Sequence, residues 1–253
     1  MDETGTARAN PAESVGQEAR DAQRGRSRGF KIFLRDIVLI FLAALLISFL
    51  IKTFLIRSFY IPSESMEDTL IRNDRIIVNQ LVPEVVGIEH GDVVVFRDPG
   101  GWLRDEPQPE QNWFVAGVDA VLAFVGLSAP DSNDHLIKRV IGLPGDTVAC
   151  CNEFGQLTVN GVPLDEPYLR LGEQSKATPN DFEVTVPEGR LWVMGDNRYN
   201  SADSAFRNTN NLPGEGFVPI DDVVGRAMLV SWPIDRWAWL DNYPLVFKGV
   251  DEQ

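Results

Sequence analysis

Hydrophobic and polar residues follow three different patterns along this chain. The first is an uncharged, strongly apolar run at residues 37–51, which follows a polar stretch without apolar periodicity. If Lys52 places its ammonium at the interface, the run extends to residue 56 and reaches the roughly 20 residues that cross a bilayer. Its length, its late start and the lack of an Ala-x-Ala-like site after it disfavour a cleaved leader. The pattern predicts a disordered basic tail over residues 1–36 and a transmembrane helix over residues 37–56.

Basic residues are concentrated before the apolar run, which predicts a cytoplasmic N-terminus. The cluster consists of Arg20, Arg24, Arg26, Arg28, Lys31 and Arg35. The rest of the chain would then lie outside the plasma membrane, on a single anchor. The whole chain has 37 acidic and 23 basic residues and a formal net charge of −14. Because such a balance repels phosphate backbones, nucleic acid is not expected as a partner.

The second pattern begins after residue 57, where short β-branched runs alternate with Gly, Pro, Asn and Asp and predict strands. The predicted strands lie within residues 74–82, 91–99, 135–143, 146–150, 156–164, 182–196 and 222–232. Asn160-Gly161 is a signal for a type I′ hairpin turn. The predicted fold class is mainly β: an antiparallel β-sheet ectodomain with a smaller inserted β subdomain, on one N-terminal transmembrane helix.

The third pattern is a second apolar stretch at residues 113–130. It contains Asp119 and two glycines, and its flanks are acidic and turn-forming. A second membrane span is one interpretation, but an amphipathic or core-facing helix in a surface insert at about residues 99–134 is favoured. We place the first part of the main β domain at residues 57–144, the small subdomain at 145–189 and the second part at 190–250.

Candidate metal ligands are few. The chain has two histidines, His90 and His135, and two adjacent cysteines, Cys150 and Cys151. Without a His-rich cluster or a Cys-x-x-Cys pair, we expect no metal site and no cofactor. His90 is interpreted as a solvated surface residue, and a Ser-His-Asp triad is therefore disfavoured. The adjacent cysteines are either free thiols or a strained redox pair, and structural thiols are favoured.

Serine with lysine remains as a route to nucleophilic catalysis. A lysine is a competent general base only when it is neutral, and burial among apolar residues favours that form. Lys138 follows Leu136 and Ile137 on a predicted strand, although this window alone favours an exposed strand lysine. Two serine-rich motifs change that judgement: PSESM at residues 62–66 and NSADS at residues 200–204.

Three motifs occur in order behind the apolar run: IPSESM, LIKRVIGLPGD and MGDNRYNSADS. With this topology the chain resembles the bacterial type I signal peptidases, which are membrane-bound serine proteases that remove signal peptides from exported proteins. The resemblance covers about four-fifths of the chain. It implies cleavage after small residues of the Ala-x-Ala type at the outer surface of the plasma membrane, with preprotein signal peptides and membrane lipid as partners.

By motif position, the resemblance implies that Ser65 is the nucleophile and Lys138 the general base. Ser63 would contribute its hydroxyl, and Ser65 its backbone N–H, to an oxyanion hole. Ser201 would orient the lysine through a hydrogen bond. The supporting residues at matching positions are Asp196, Asn197, Arg198 and Asp203.

The resemblance also implies that the substrate binds as an extended strand against two shallow apolar pockets. The residues at matching positions are Phe59, Ile61, Pro62, Met66, Leu70, Leu136 and Ile137. Core packing is the alternative for most of them, and for Leu70 both interpretations stand. Met66 and Leu70 are further expected to seat the catalytic edge on lipid.

Some residues depart from the family pattern. Glu64 stands where glycine is frequent, Asp68 where proline is frequent, and Tyr199 where an acidic or amide residue is usual. Ala205 occupies a position at which an arginine commonly pairs with the preceding aspartate, so that Asp203 has either Arg207 or no partner.

Two other classes of protein compete with a serine–lysine peptidase. A non-enzymatic, membrane-anchored β-rich binding or assembly module would explain the anchor and the strands, but not the ordered serine motifs and the lysine in its apolar window. A sortase-like cysteine transpeptidase would need a reactive cysteine, and the adjacent pair Cys150-Cys151 has no Cys-x-x-Arg-type setting.

Overall fold

The structure, a computed structural model, describes residues 11–103, 134–170, 173–210 and 216–250. The chain divides into two compact units, Met1–Lys52 and Thr53–Gln253. The apolar stretch predicted to form a surface helix, residues 113–130, lies outside the described residues.

Helix α1 spans Pro11–Phe54. Proline is well suited to the first position of a helix, and the Ala, Glu, Arg and Leu residues that follow favour helical backbone. By length and composition, Ile32–Phe54 could cross a membrane, and none of it is buried in the structure. The helix thus includes residues 11–36, which the sequence pattern assigned to a disordered tail, and it ends two residues before the predicted boundary.

The second unit is built mainly from antiparallel strands. In chain order these are β1 (Ile56–Tyr60), β2 (Arg75–Asn79), β3 (Val93–Arg97), β4 (His135–Gly142), β5 (Thr147–Cys150), β6 (Leu157–Val159), β7 (Val162–Pro163), β8 (Phe182–Thr185), β9 (Arg190–Met194), β10 (Val218–Pro219), β11 (Val223–Trp232) and β12 (Ala238–Trp239). A short helix, α2, spans Ser204–Thr209. Three 3₁₀ turns lie at Arg198–Asn200, Ile220–Asp222 and Ile234–Arg236.

The strands form two sheets. An eight-stranded sheet has the order β1-β2-β11-β3-β4-β9-β10, and β12 also pairs with β11. A four-stranded sheet has the order β7-β6-β5-β8. All of the pairings are antiparallel. The predicted fold class, mainly β with one N-terminal apolar helix, is therefore confirmed.

The turn between β6 and β7 illustrates how the sequence determines the smaller sheet. Asn160 and Gly161 have φ values of +51° and +79°. A type I′ turn requires positive φ at both central positions, and Asn-Gly is the pair that adopts it most readily. The flanking strands pair Val159 with Val162, so the predicted hairpin is present.

Strands β3 and β4 contribute to two separate apolar cores. Val93, Val95 and Ile137 lie in one cluster, which we call the serine-side core, whereas Val94 and Val140 lie in another. Successive side chains of a strand point to opposite faces of the sheet, so both faces of this strand pair are covered. Lys138 and Arg139, the polar residues in the middle of β4, are therefore both buried although they point to opposite faces.

Candidate active site

Lys138 lies in the middle of the larger sheet, where β4 runs between β3 and β9. It is paired with Val94 of β3, and only 4% of the residue is exposed. Burial lowers the pKa of Lys138 to about 8, although the nearby carboxylates of Asp203 and Asp196 act in the opposite direction. The neutral amine is therefore accessible near physiological pH, as general-base catalysis requires.

Ser65 lies in the loop between β1 and β2, which we call the serine loop, and its backbone is held by the segment that follows β9. The Ser65 carbonyl accepts a 3.0 Å hydrogen bond from the backbone N–H of Asn197, whose side-chain amide donates to the Glu64 carbonyl at 3.1 Å. At Gly195, a Cβ atom would lie 2.4 Å from the Ser65 carbonyl oxygen. A glycine is therefore needed where the two segments meet.

The two side chains that the motifs nominate for catalysis are in direct contact. Lys138 Nζ donates a 2.7 Å hydrogen bond to Ser65 Oγ and a 2.9 Å hydrogen bond to the Ile137 carbonyl. Ser65 is 7% exposed. When the amine is neutral, the Ser65 hydroxyl can donate to it instead, which is the arrangement that proton abstraction needs.

Ser63 lies on the solvent side of this pair. Its Oγ atom is 3.4 Å from Ser65 Oγ, close to the outer limit of a hydrogen bond. Ser63 is exposed, whereas Ser65 and Lys138 are buried. Its hydroxyl is therefore free to turn toward a group that enters beside Ser65.

Asp203 is buried at the beginning of α2, where it is the N-cap residue. Its carboxylate accepts hydrogen bonds from the backbone N–H groups of Gly195, at 2.9 Å, and Phe206, at 3.3 Å. Burial raises the pKa of Asp203, whereas the Gly195 N–H and the charge of Lys138 lower it. The Ser201 Oγ atom is buried without a hydrogen-bond partner among the described residues, and it lies close to Gly195, where a Cβ atom would come within 2.4 Å of it.

The partners proposed for Ser201 and Asp203 differ from those in the structure. The hydrogen bonds described for Lys138 run to Ser65 and Ile137, and none of the described hydrogen bonds involves the buried Ser201 Oγ. The guanidinium of Arg207 instead lies 5.4 Å from the ring centroid of Trp102. Asp203, for which the sequence left either Arg207 or no partner, accepts hydrogen bonds from backbone N–H groups.

A buried ion pair joins three segments around the Ser65–Lys138 pair. Arg139 donates to both carboxylate oxygens of Asp196, at 2.9 Å and 2.7 Å, and both side chains are fully buried. The hydroxyl of Thr69, from the serine loop, donates to the same carboxylate at 2.5 Å. Because Arg139 directly follows Lys138, this network connects the strand of the lysine, the end of β9 and the serine loop.

Arg198 forms a second buried ion pair, with Glu166. Its two terminal nitrogens lie 2.5 Å and 3.1 Å from the Glu166 oxygens, and its Nε donates to the Gly195 carbonyl at 3.0 Å. Glu166 also accepts from the Tyr168 hydroxyl at 2.8 Å. The pair therefore ties the segment after β9 to the segment after β7.

Most of the predicted substrate-binding residues share the serine-side core. The five in this cluster are Phe59, Ile61, Met66, Leu70 and Ile137. All five are buried, whereas Pro62 is exposed and Leu136 is half-buried. The two residues with appreciable exposed surface are thus Pro62, next to Ser63, and Leu136, two residues before Lys138.

The expectation that Met66 and Leu70 contact lipid is wrong. Both residues are 0% exposed because their side chains point into the serine-side core. An enclosed side chain cannot reach a bilayer. One group of large exposed apolar residues in the second unit lies at the end of β11 and just beyond it: Trp232, Ile234, Trp237 and Trp239.

Two interpretations of the histidines and cysteines also fail. His90 is buried, with Nε2 at 2.7 Å from Asp146 Oδ2 and its ring stacked 5.3 Å from that of Phe247, so it is not a solvated residue. The turn that carries it is covered by the C-terminal part of the chain. Cys150 and Cys151 are joined in a disulfide rather than free. They lie near Asp181, but disulfide sulfurs offer no thiolate to a metal ion.

Several residues around the site were not found by sequence reasoning. Thr69, Arg139, Gly195, Glu166 and Tyr168 all hold the catalytic segments together. The only available signal was indirect, because Arg139 adjoins Lys138 and the DEPY stretch contains the pair Glu166 and Tyr168. Apart from the contact between Tyr168 and Glu166, their partners are distant in sequence, so no local pattern predicts these contacts.

Comparisons with known proteins agree on one family. A family model described as signal peptidase, peptidase S26, matches residues 34–232. The chain is 43% identical over 200 residues to a probable signal peptidase I of Mycobacterium leprae, covering 70% of this chain and 68% of that one. It is 41% identical over 223 residues to the signal peptidase I of Mycobacterium tuberculosis H37Rv, covering 81% and 74%.

A solved structure is also similar in sequence to this chain. The crystal structure of a signal peptidase I from Enterococcus faecalis V583 is 27% identical to it, with a TM-score of 0.34. The match covers 55% of this chain and 95% of that chain.

Proposed function

Because the chain belongs to the signal peptidase family, peptidase S26, we propose that it is a membrane-bound endopeptidase that removes N-terminal signal peptides from exported preproteins. Ser65 is the nucleophile and Lys138 the general base. The single observation that carries this assignment is the 2.7 Å contact between Lys138 Nζ and Ser65 Oγ inside a buried site. Membership of a peptidase family also disfavours the non-enzymatic binding module.

The first chemical step is acylation of Ser65. Neutral Lys138 takes the Ser65 hydroxyl proton while Oγ attacks the scissile carbonyl carbon, and the Ser63 hydroxyl and the Ser65 N–H stabilise the oxyanion. The protonated lysine then gives its proton to the departing amine, so that the peptide bond breaks and an acyl-enzyme remains. Water hydrolyses this ester: Lys138 takes a proton from the attacking water and then gives it to the Ser65 oxygen as the acyl group leaves. Each turnover therefore returns the lysine to its neutral form.

The remaining site residues are proposed to position this pair. Ser201 is proposed to orient Lys138 from the segment after β9, where its buried Oγ lies beside Gly195, and the buried carboxylate of Asp203 attracts the lysine charge electrostatically. Asp196, Asn197 and Arg198 anchor the segment after β9 to neighbouring parts of the site. Lys138 and Ser65 are thereby held close to their reactive geometry, so the two side chains need to move little during catalysis.

Small residues before the scissile bond are proposed to bind against the serine-side core. Phe59, Ile61, Met66, Leu70 and Ile137 form the closed apolar wall, and the exposed Pro62 provides accessible surface beside it. Leu136 is half-buried and packs against the cluster of Val94 and Val140. Because the wall residues are already packed together, only shallow depressions remain beside Ser65. Such depressions accept alanine-sized side chains at the first and third positions before the cut and exclude larger ones.

Preprotein processing tests the catalytic assignment directly. Full-length wild type, Ser65→Ala and Lys138→Ala would be compared in detergent or liposomes with a preprotein that carries an Ala-x-Ala site. We expect processing by wild type and background levels for both variants. Ser175→Ala and Lys248→Ala are matched controls, because these residues are exposed and far from the motifs in sequence. Normal cleavage by both Ser65→Ala and Lys138→Ala would overturn the mechanism.

The proposed orientation places the N-terminus in the cytoplasm and the second unit outside. Its support is the cluster of basic residues before Ile32–Phe54. If residues 113–130 crossed the membrane once, Ser65 and Lys138 would lie on opposite sides of it and could not act together. The proposal therefore requires this segment to stay on the outer side. Cysteines introduced at Phe154, which is exposed, and at Ser132 should both react with an impermeant reagent on intact cells. Protection of either position would contradict this topology.

Membrane lipid is the proposed partner of the exposed aromatic patch formed by Trp232, Ile234, Trp237 and Trp239. The rings of Trp237 and Trp239 are 6.1 Å apart, and tryptophan favours the membrane–water interface. Brominated lipids should quench the tryptophan fluorescence of wild type more than that of a variant with all three patch tryptophans changed to phenylalanine. Equal quenching of the two proteins would exclude contact between the patch and lipid.

A further inference from the structure

The C-terminal segment, residues 240–250, lies beyond the residues that match the family model, yet it packs against the site. Its backbone begins with a 2.8 Å hydrogen bond from Leu240 N–H to the Met228 carbonyl on β11. Phe247 and Val250 are buried, and the Val250 carbonyl accepts from the Asn160 side chain at 3.2 Å. The segment is therefore anchored to both the larger sheet and the hairpin of the smaller one.

Between these anchors the segment reaches Arg139, the neighbour of Lys138. The Asp241 carbonyl accepts from Arg139 Nη1 at 3.0 Å, and the Gly91 carbonyl accepts from the same nitrogen at 2.7 Å. With Asp196 and the 3.5 Å contact to Thr69, each of the five N–H groups of the guanidinium has an acceptor. The segment thus supplies one of the acceptors of a fully buried cation.

Aromatic rings cover the guanidinium as well. The Tyr168 ring centroid lies 4.0 Å from Arg139 Cζ, and that of Tyr243, from the C-terminal segment, lies at 5.2 Å. The two rings contact each other at a centroid distance of 4.9 Å. Because the faces of aromatic rings attract cations most strongly where water is excluded, both rings stabilise the position of the guanidinium.

We infer that Tyr243 is a positioning residue for the Ser65–Lys138 pair, which it affects through Arg139. This inference rests on the proposed function. Arg139 connects the strand of the lysine with Asp196, and Asp196 binds Thr69 in the serine loop. Loss of the Tyr243 ring exposes one side of the Arg139 guanidinium to water and lets the guanidinium shift. The contact between Lys138 and Ser65 then becomes less well defined, which lowers turnover rather than substrate affinity.

Steady-state cleavage of an Ala-x-Ala peptide by the full-length protein in detergent tests the inference. Tyr243→Leu retains apolar volume but removes the ring, and we expect kcat to fall about tenfold with KM within about twofold of wild type. Tyr243→Phe retains the ring and should stay close to wild type. Leu245→Ala is the matched control, because Leu245 lies in the same segment and is 84% exposed; it should behave as wild type.

Melting temperatures are measured alongside, and assays are run well below them. A Tyr243→Leu protein that is less stable but has wild-type kcat would overturn the inference, as would a change in KM alone or an equal loss in Tyr243→Phe. Tyr243→Met carries the same prediction if the leucine variant does not fold. Ser65→Ala separates the two hypotheses: full activity in that variant refutes the proposed function, whereas an inactive Ser65→Ala beside an unaffected Tyr243→Leu refutes the positioning role alone.

Discussion

Lys138 Nζ lies 2.7 Å from Ser65 Oγ, although 73 positions separate the two residues along the chain. The lysine is presented by the middle of β4 and the serine by the loop after β1. Sheet pairing does not bring the two together, because the neighbours of β4 in the sheet are β3 and β9. The segment after β9 makes the connection, since Asn197 binds the Ser65 carbonyl and Asp196 binds Arg139.

The pH dependence of cleavage follows from the burial of Lys138, which lowers its pKa to about 8. Only the neutral amine can accept the Ser65 proton, so kcat/KM should rise about tenfold per pH unit below that value and level off above it. The measurement is peptide cleavage from about pH 6 to about pH 10. Lys138→Arg should be inactive throughout, because arginine keeps its proton in this range.

The control for this experiment is Lys248→Arg, which alters an exposed lysine and should reproduce the wild-type profile. A rate that does not change between about pH 6 and about pH 9 would mean that no group with the lowered pKa of Lys138 governs the reaction.

The two hydroxyls of PSESM should differ in what their removal costs. Ser65→Ala removes the nucleophile, so hydrolysis should fall to background. Ser63→Ala removes one oxyanion donor, which should reduce kcat by about 10²–10³ while KM changes little, because the donor acts on charge that develops in the transition state. Ser63→Thr should recover part of the loss. Steady-state kinetics on an Ala-x-Ala peptide give both parameters; an active Ser65→Ala beside an inactive Ser63→Ala would identify Ser63 as the nucleophile instead.

Strand prediction succeeded where β-branched runs end at Gly, Pro or Asp and failed where those signals are missing. Strand β4 lies within its predicted range, and β11 within residues 222–232. Strand β1 was missed because its first residue, Ile56, continues the apolar run of the anchor. Helix α2 was missed because six residues are too few to show a helical period.

The site was only partly readable from the sequence, for a physical reason. The order of the motifs nominated Ser65 and Lys138, but the local window of Lys138 resembled that of an exposed strand lysine. Its burial depends on β3 and β9, which arrive from distant parts of the chain. The same holds for Arg139 and Asp196, which are 57 positions apart. The roles of these residues stay predictions until variants are measured.

The buried ion pair between Arg198 and Glu166 and the exposed ion pair between Lys176 and Asp181 should contribute very differently to the free energy of unfolding. Glu166 and Arg198 are completely enclosed, so Glu166→Gln leaves a buried guanidinium without its counter-charge and should cost about 3–5 kcal/mol. Asp181 and Lys176 form an exposed pair, and Asp181→Asn should cost less than about 1 kcal/mol. Chemical unfolding of both variants in detergent gives the two free energies. Equal losses would contradict the structural difference between the pairs.

Gly195 tests whether the backbone of Ser65 is held as tightly as the structure indicates. A Cβ atom at this position would lie 2.4 Å from the Ser65 carbonyl oxygen and 2.4 Å from Ser201 Oγ. Neither neighbour can accommodate it without moving, because the Ser65 carbonyl is hydrogen-bonded to the Asn197 N–H and the Ser201 Oγ atom is buried. Gly195→Ala should therefore displace the nucleophile and lower kcat at least about tenfold, with overpacking costing about 1–3 kcal/mol of stability.

The matched control is Gly87→Ala, since a Cβ atom at Gly87 meets no atom within 4 Å. We expect this variant to retain the kcat and the melting temperature of wild type. The two proteins carry the same chemical change, so the difference between them isolates the contact with Ser65 and Ser201. Wild-type turnover in Gly195→Ala would show that the serine loop tolerates the shift, and it would remove the argument that the segment after β9 fixes the nucleophile.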